Sequence, residues 1–208
     1  HMVWLTNLSV PSMSLIFTNI VKGYFSTSMP EFKNLAEPLV NSSVEIYTRI
    51  QKELLPTPSK SHYTFNLRDL SKVFQGVLMV HPSHLGSRDK IIKLWCHESA
   101  RVFRDRLIDE TDRSWFNAAV LEQLHKNLEA PAWQAEDFVD LLYGDFMTRE
   151  DKAYQELDDP AKVNEVLLEY LDEYNITFPS RMELVFFRDA INHVARIARV
   201  LSQPRGCA

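Results

Sequence analysis

Apolar residues recur at steps of three and four along most of the chain, a spacing that places their side chains on one face of a helix. This periodicity predicts eight helices, and no segment predicts a strand with comparable clarity. The predicted helices cover approximately residues 10–24, 40–54, 67–78, 89–108, 115–124, 138–146, 160–174 and 184–201. We therefore expect an all-α fold, a multi-helix bundle with at most short strands.

Residues with hydrogen-bonding side chains mark where several of these helices begin. Asn66 precedes the helix at 67–78 and Asp69 occupies its third position, the arrangement of a capping box. Ser12 or Ser14 is the candidate cap of the first helix. The Asp-Pro pair at 159–160 starts the seventh helix, since proline is favoured at the first helical position.

The composition indicates a globular domain. Of the 208 residues, 45% are hydrophobic and 25% are charged, enough to bury a sizeable core in one domain or two small ones. Only 5 residues are glycine and none forms a phosphate loop, so we expect no ATP binding by this chain alone. No apolar run approaches the roughly 20 residues of a membrane span, so we expect no membrane partner.

The charge is unevenly distributed. The formal net charge is −5, and residues 129–159 carry ten acidic side chains against two basic ones, whereas residues 181–208 are basic. An acidic chain with one modest arginine cluster is a poor match for a nucleic-acid backbone, so we expect no nucleic-acid partner. The acidic stretch is interpreted as a solvated face and as the joint between two lobes.

The cysteines and histidines do not have the spacing of a metal site. Cys96 and Cys207 each lack the neighbouring cysteine that a zinc site requires, and they favour a reducing compartment. His81 and His84, with the distant His97, are a weak alternative for a metalloenzyme, because isolated loop histidines are common and no carboxylate spacing supports them. We expect no bound metal.

A polar ladder is predicted on the helix at 89–108. Glu98 and Arg101 are three residues apart and Arg101 and Asp105 are four apart, the spacings at which opposite charges meet on a helix. We expect this face, which includes His97, to be an ordinary solvated surface. The alternative is a contact surface for a neighbouring domain.

Arg68 departs from a rule of helix electrostatics. With Asn66 as the cap, Arg68 takes the second helical position, where the helix dipole disfavours a cation by about 0.3–1 kcal/mol. A bound anion would offset that cost, since a guanidinium makes charge-assisted hydrogen bonds to phosphate. The plainer alternative is an exposed arginine paired with Asp69 or Glu53.

Three runs of sequence resemble the third AAA+ module of dynein heavy chains, in the expected order. They are LLPTPSKSHYTFNLRDLSKVFQG at 54–76, LWCHESARVFRDRL at 94–107, and MELVFFRDA at 182–190 followed by RIAR at 196–199. The resemblance covers nearly the whole chain. The tetrapeptide at 66–69, Asn-Leu-Arg-Asp, is similar to the axonemal branch of the family.

The resemblance implies an AAA+ lid-type helical bundle cut from a longer motor ring. The phosphate loops of the third and fourth modules would lie before Val3 and after Pro204-Arg205-Gly206, outside this fragment. The implied parts are a vector scar at 1–2, the end of the third module's large subdomain at 3–55, its helical lid at 56–158 and the entry to the fourth module at 159–208.

The resemblance also implies roles for particular residues. Arg68 matches the sensor-two arginine, which approaches the terminal phosphate of the nucleotide in its own module. Leu184 and Val185 match the chain entering the fourth module, where apolar groups pack on the adenine. The implied ligands are ATP or ADP in the full-length ring and none in the fragment, which holds no catalytic residue.

The implied partners are the neighbouring AAA+ modules of the same chain and, through the full-length protein, microtubules and other dynein subunits. The implied locations are the cytoplasm, the cytoskeleton and the axoneme of cilia. A rival hypothesis is a helical scaffold or partner-binding domain without any link to nucleotide, which would dock through residues 129–159 or through the face of the helix from His97 to Arg104.

Overall fold

A computed structural model of the chain describes Met2, residues 8–149 and residues 152–203. Part of the predicted scar, the Pro204-Arg205-Gly206 run and Cys207 lie outside the described residues. Over the described residues the fold is all-α, as predicted, with one two-stranded antiparallel sheet, β1 Tyr143–Gly144 and β2 Gln155–Glu156. The helices of the described part are α1 Val10–Ser28, α2 Ala36–Glu53, α3 Leu67–Val77, α4 Arg88–Val102, α5 Glu110–Lys126, α6 Glu136–Val139, α7 Pro160–Thr177 and α8 Arg188–Ser202.

The chain divides into two compact units, His1–Asp140 and Leu141–Ala208. In the first unit, α1 packs on α2 and α3 packs on α4. Short 3-10 turns connect several of these helices, at Pro30–Leu35, Pro58–Lys60, Pro82–His84 and Arg104–Arg106. Three of the four turns begin with proline, whose fixed φ suits a helical start and which has no N–H to leave unpaired.

The core of the first unit combines aromatic packing with a buried hydrogen-bond chain. The rings of Phe17 and Phe74 stack with centroids 4.8 Å apart, which joins α1 to α3. The fully buried indole of Trp95 donates from Nε1 to Ser43 Oγ at 2.8 Å, and that hydroxyl donates to the Leu39 carbonyl at 2.8 Å. The polar atoms that join α4 to α2 are therefore satisfied without water.

Two of the predicted helix starts are confirmed and one is wrong. Asn66 caps α3 and Asp69 completes the capping box. Asp159 caps α7, accepting from the backbone amides of Ala161 and Lys162, the two residues after Pro160. The first helix is capped by Ser9 rather than by Ser12 or Ser14, because it begins earlier, at Val10.

Three predicted helices are shorter than their apolar pattern. The helix predicted to reach residue 108 ends at Val102 and gives way to a 3-10 turn. The helix predicted over 138–146 ends at Val139, because the following backbone pairs with a strand, as in the Leu157 N–H bond to the Leu142 carbonyl at 2.8 Å. The last helix starts at Arg188 rather than at residue 184.

The solvated face predicted for the polar ladder is wrong. Glu98 is 0% exposed and His97 is 2% exposed, and only 7% of the Arg101 side chain is accessible. Helix α4 is covered on most sides, so its polar positions are enclosed together with the apolar ones. The predicted four-residue pair does form, with Arg101 Nε 3.0 Å from Asp105 Oδ2.

The second unit has a much smaller core. Its main apolar cluster comes from the β2 region, α7 and α8, and partly buried neighbours such as Phe186 pack against it. The buried members of this cluster are Leu157, Val163, Leu167, Ile191 and Ala195. Many other apolar side chains of this unit remain accessible to solvent.

Candidate functional site

Arg68 lies where the sequence placed it, at the second position of α3, and its side chain is exposed. Its backbone N–H donates to Asn66 Oδ1 at 2.9 Å. Within the described ranges, its guanidinium makes no hydrogen bond or ion pair. A cation at the positive end of a helix and without an internal partner is available to an external anion.

The two carboxylates that could have paired with Arg68 are engaged elsewhere. Asp69 Oδ2 accepts from the Asn66 N–H at 2.9 Å and from Arg106 Nη1 at 3.1 Å. Glu53 accepts from Trp115 Nε1 at 2.7 Å, and its other oxygen lies 3.5 Å from Arg49 Nε. The plainer alternative, in which Asp69 or Glu53 holds Arg68, does not describe this structure.

The loop before α3 is fastened to the start of α5 by an ionic cluster. Lys60 Nζ contacts a carboxylate oxygen of Asp109 and lies 2.6 Å from Asp112 Oδ2. The Tyr63 hydroxyl donates to the same Asp112 oxygen at 2.8 Å and accepts from the Ile108 N–H at 3.0 Å. These contacts join segments about fifty residues apart in sequence and so limit how far the start of α3 can move.

The ionic cluster changes the titration of its members. Hydrogen bonds raise the pKa of Lys60, and the bond to Asp109 contributes more than the bond to Asp112. Burial by itself raises the pKa of Asp112, but the hydrogen bonds from Lys60 and Tyr63 outweigh burial and leave that pKa below its ordinary value. Both charges are therefore stabilised at neutral pH.

Arg106 is a residue of this site that the sequence reasoning missed. It belongs to the 3-10 turn Arg104–Arg106, and its guanidinium bonds both to Asp69 and to the loop that leads into α3. The apolar periodicity did not indicate this role, because it predicted that residue 106 would be inside a continuous helix. The only usable signal was that Arg106 falls within the second run of the resemblance.

The second pair of predicted site residues lies in the other unit. Leu184 is 49% exposed and Val185 is 81% exposed, in the irregular segment between α7 and α8. They therefore precede α8 instead of beginning it, as the pattern had predicted. Apolar side chains this accessible are free to contact a ligand or another protein segment.

The histidines of the weak metal alternative are not gathered into a ligand set. The His81 ring bonds to the Ser83 hydroxyl at 2.8 Å, and His97 is buried against Glu98, with Nδ1 3.1 Å from Oε1. In the part of the chain that the structure describes, no three His, Cys, Asp or Glu side chains are arranged to hold a metal ion. Among the described helices, none has the length and apolar character to cross a membrane.

The family match and the individual relatives found by comparison with known proteins agree with one another. Residues 20–113 match the family described as dynein heavy chain, ATPase lid domain. Human dynein axonemal heavy chain 6 is 43% identical over 203 residues, 95% of this chain and 5% of the relative. Rat dynein axonemal heavy chain 1 is 45% identical over 181 residues, 86% of this chain and 4% of the relative.

A relative of lower identity is a flagellar dynein heavy chain. The dynein-1-beta heavy chain of the flagellar inner arm I1 complex of Chlamydomonas reinhardtii is 35% identical over 211 residues, which cover 97% of this chain and 5% of the relative. The chain therefore spans about 5% of the length of curated relatives that it matches.

Proposed function

Because this chain belongs to the dynein heavy chain family and carries its ATPase lid domain, we propose that it is the nucleotide-sensing lid of an AAA+ module in an axonemal motor ring. The observation that carries the proposal is Arg68, an exposed cation at the start of α3 whose two nearby carboxylates are bound to other residues. In this proposal the full-length chain binds ATP or ADP, and this segment contributes no catalytic residue.

We also propose which parts of the third and fourth AAA+ modules this chain contains. The chain would contain the end of the third module's large subdomain at 3–55, its lid at 56–158 and the entry to the fourth module at 159–208. The three runs quoted above support this order. Leu184 and Val185 would then pack on the adenine in the fourth module, a role that their solvent exposure permits.

In the proposed mechanism, the lid changes its orientation according to the nucleotide that is bound. A triphosphate would present its terminal phosphate to the guanidinium of Arg68, and charge-assisted bonds would form that a diphosphate does not offer. Only such a difference between ligands can shift the lid between two orientations. Because α3 packs on α4 in the lid core, a reorientation at the start of α3 is transmitted to the rest of the first unit.

The proposed partners and location follow from the same family. The lid would contact neighbouring AAA+ modules of its own chain, and the full-length protein would act on microtubules with other dynein subunits. It would work in the cytoskeleton of the cytoplasm and of the ciliary axoneme. The relatives named axonemal and flagellar support this location.

The proposal is tested in the complete heavy chain by hydrogen–deuterium exchange, titrating ADP and the nonhydrolysable ATP analogue AMP-PNP. Protection of the peptide that contains α3 gives a midpoint for each nucleotide at this module alone. We expect Arg68→Ala to reduce the preference for AMP-PNP over ADP about tenfold, the effect of losing one bond between charged groups.

Lys72→Ala is the matched control, since it removes an exposed cation one turn further along the same helix. It should leave the ratio of the two midpoints unchanged, and both variants should fold as well as the wild type. A ratio that is the same in Arg68→Ala and wild type contradicts the sensing role. That result would favour the rival hypothesis of a helical scaffold.

A further inference from the structure

One side chain from outside α3, that of Arg106, contacts both the capping box and the loop before it. Arg106 Nη1 donates to Asp69 Oδ2 at 3.1 Å, and Nη2 donates to the carbonyl oxygens of His62 and Thr64, each at 2.9 Å. The planar fork of arginine suits this arrangement, because its donors point in fixed and different directions. A single guanidinium thus ties the capping box to the loop before it.

The same turn makes two further contacts with that loop. The His62 ring donates from Nε2 to the Arg106 carbonyl at 2.9 Å, so the attachment between the two segments is reciprocal. The guanidinium carbon of Arg106 lies 4.5 Å from the centroid of the Phe65 ring, within the range of a cation–π interaction. Backbone, side-chain and ring contacts therefore reach three of the four residues before Asn66, namely His62, Thr64 and Phe65.

These contacts bear directly on Arg68. It is the second residue of α3, so the direction of its side chain follows the direction of the first helical turn. Arg106 also neutralises the carboxylate of Asp69, which is 9% exposed and next to Arg68 in sequence. Without Arg106, that carboxylate would repel a phosphate approaching Arg68.

We propose that Arg106 is a positioning residue for Arg68. It fixes the first turn of α3 and cancels the charge of Asp69, so that the Arg68 guanidinium faces an incoming terminal phosphate. The inference rests on the proposed sensing function of Arg68, and it assigns to Arg106 a part in that function without contact to the nucleotide.

The experiment uses the exchange titrations of the complete heavy chain with AMP-PNP and ADP. Arg106→Gln should lower the ratio of AMP-PNP to ADP affinity at the α3 peptide about tenfold, as far as Arg68→Ala does. Arg106→Lys keeps the charge but loses the fork, and should lower the ratio by an intermediate factor, about threefold. Arg106→Lys also tests the positioning role if Arg106→Gln fails to fold.

Arg104→Gln is the matched control from the same turn, since the Arg104 side chain bonds to Asn117 Oδ1 at 3.1 Å. It should leave the ratio at the wild-type value. A merely structural Arg106 would increase deuterium uptake equally with both nucleotides, so the ratio would not move in either Arg106 variant. That result overturns the inference.

Arg68→Ala, measured alongside, separates the two proposals. If Arg68→Ala lowers the ratio and the Arg106 variants leave it unchanged, the positioning role of Arg106 is wrong and the sensing role of Arg68 stands. If Arg68→Ala leaves the ratio unchanged, the sensing function fails and the role of Arg106 fails with it.

Discussion

Helix α4 buries ten of its fifteen residues, whereas α7 buries two of eighteen, Val163 and Leu167. The apolar stripe of α7 is among the most regular in the sequence, and α4 carries charges at several of its central positions. Regularity of the stripe therefore did not predict depth of burial. What determines burial is how many other elements pack around a helix, and that number is a property of the tertiary fold.

The contrast extends to the polar side chains. Glu98 of α4 is fully enclosed and its carboxylate fills the space beside Gly76 of α3, whereas charged residues of α7 such as Glu169 are exposed. A buried charge is costly unless it is paired, so the enclosed residues of α4 are expected to tolerate little change. The three changes that follow probe this difference, in descending order of effect.

Gly76→Ala should have the largest effect. A Cβ at this position would lie 1.7 Å from Glu98 Oε2 and 2.3 Å from Glu98 Cδ. Because Glu98 is 0% exposed, its side chain has no open space into which to retreat. We expect the free energy of unfolding of the first unit to fall by about 3 kcal/mol, measured by hydrogen exchange of the α3 and α4 amides, which reports on this unit.

Gly23→Ala is the control for that substitution. Gly23 is exposed in the middle of α1, and a Cβ there would meet nothing within 4 Å. The same chemical change should therefore stabilise the protein, by about 0.5–1 kcal/mol, since alanine is the better helix former. Equal effects at positions 23 and 76 would show that the enclosure of Glu98 by α3 has no energetic consequence.

Leu167→Ala should have the next largest effect, confined to the second unit. Leu167 is 6% exposed in the small core around α7, whereas its neighbour Leu168 is 43% exposed. We expect Leu167→Ala to destabilise this unit by about 2 kcal/mol, through lost burial and the cavity that remains.

Leu168→Ala, the neighbouring control, should change stability by less than about 0.5 kcal/mol. Both values are obtained from hydrogen exchange of the α7 amides, which reports on this unit alone. Similar losses from the two leucines would mean that α7 is covered on both faces, contrary to the contrast with α4.

Acid should produce the smallest effect. The pKa of Asp112 in the folded protein lies below its ordinary value of 3.8. Its contribution to stability is therefore present above the unfolded-state pKa and is lost as the pH falls through the folded-state value. Asp112→Asn should remove this part of the acid sensitivity, which we expect to be below about 1 kcal/mol because the ionic cluster lies near the surface.

Urea unfolding measured from pH 6 down to about pH 2 tests the acid prediction over the range in which carboxylates titrate. Glu169→Gln on α7 is the control, since the carboxylate of Glu169 makes no hydrogen bond with any described residue. If the pH profiles of Asp112→Asn and wild type are parallel, the contacts of Asp112 with Lys60 and Tyr63 contribute nothing to stability.

The sequence predicted local features such as helix caps better than it predicted which polar side chains are buried. The capping box of Asn66 and Asp69 was readable because both residues and the backbone groups they bind lie within one helical turn. The burial of Glu98 was not readable, because it depends on the absence of a side chain at Gly76 in another helix. Arg106 was missed for a related reason, since its acceptors at 62–64 lie about forty residues earlier in the chain.

Trp95 gives the first unit a built-in optical reporter. Its indole is buried between α4 and α2 and bonded to Ser43, and the sequence has no tryptophan between residues 141 and 208. Emission excited through tryptophan therefore originates in one unit only. Loosening of the contact between α2 and α4 would shift the tryptophan emission to longer wavelengths. The measurement needs no attached dye, and the Leu141–Ala208 unit contributes no tryptophan emission.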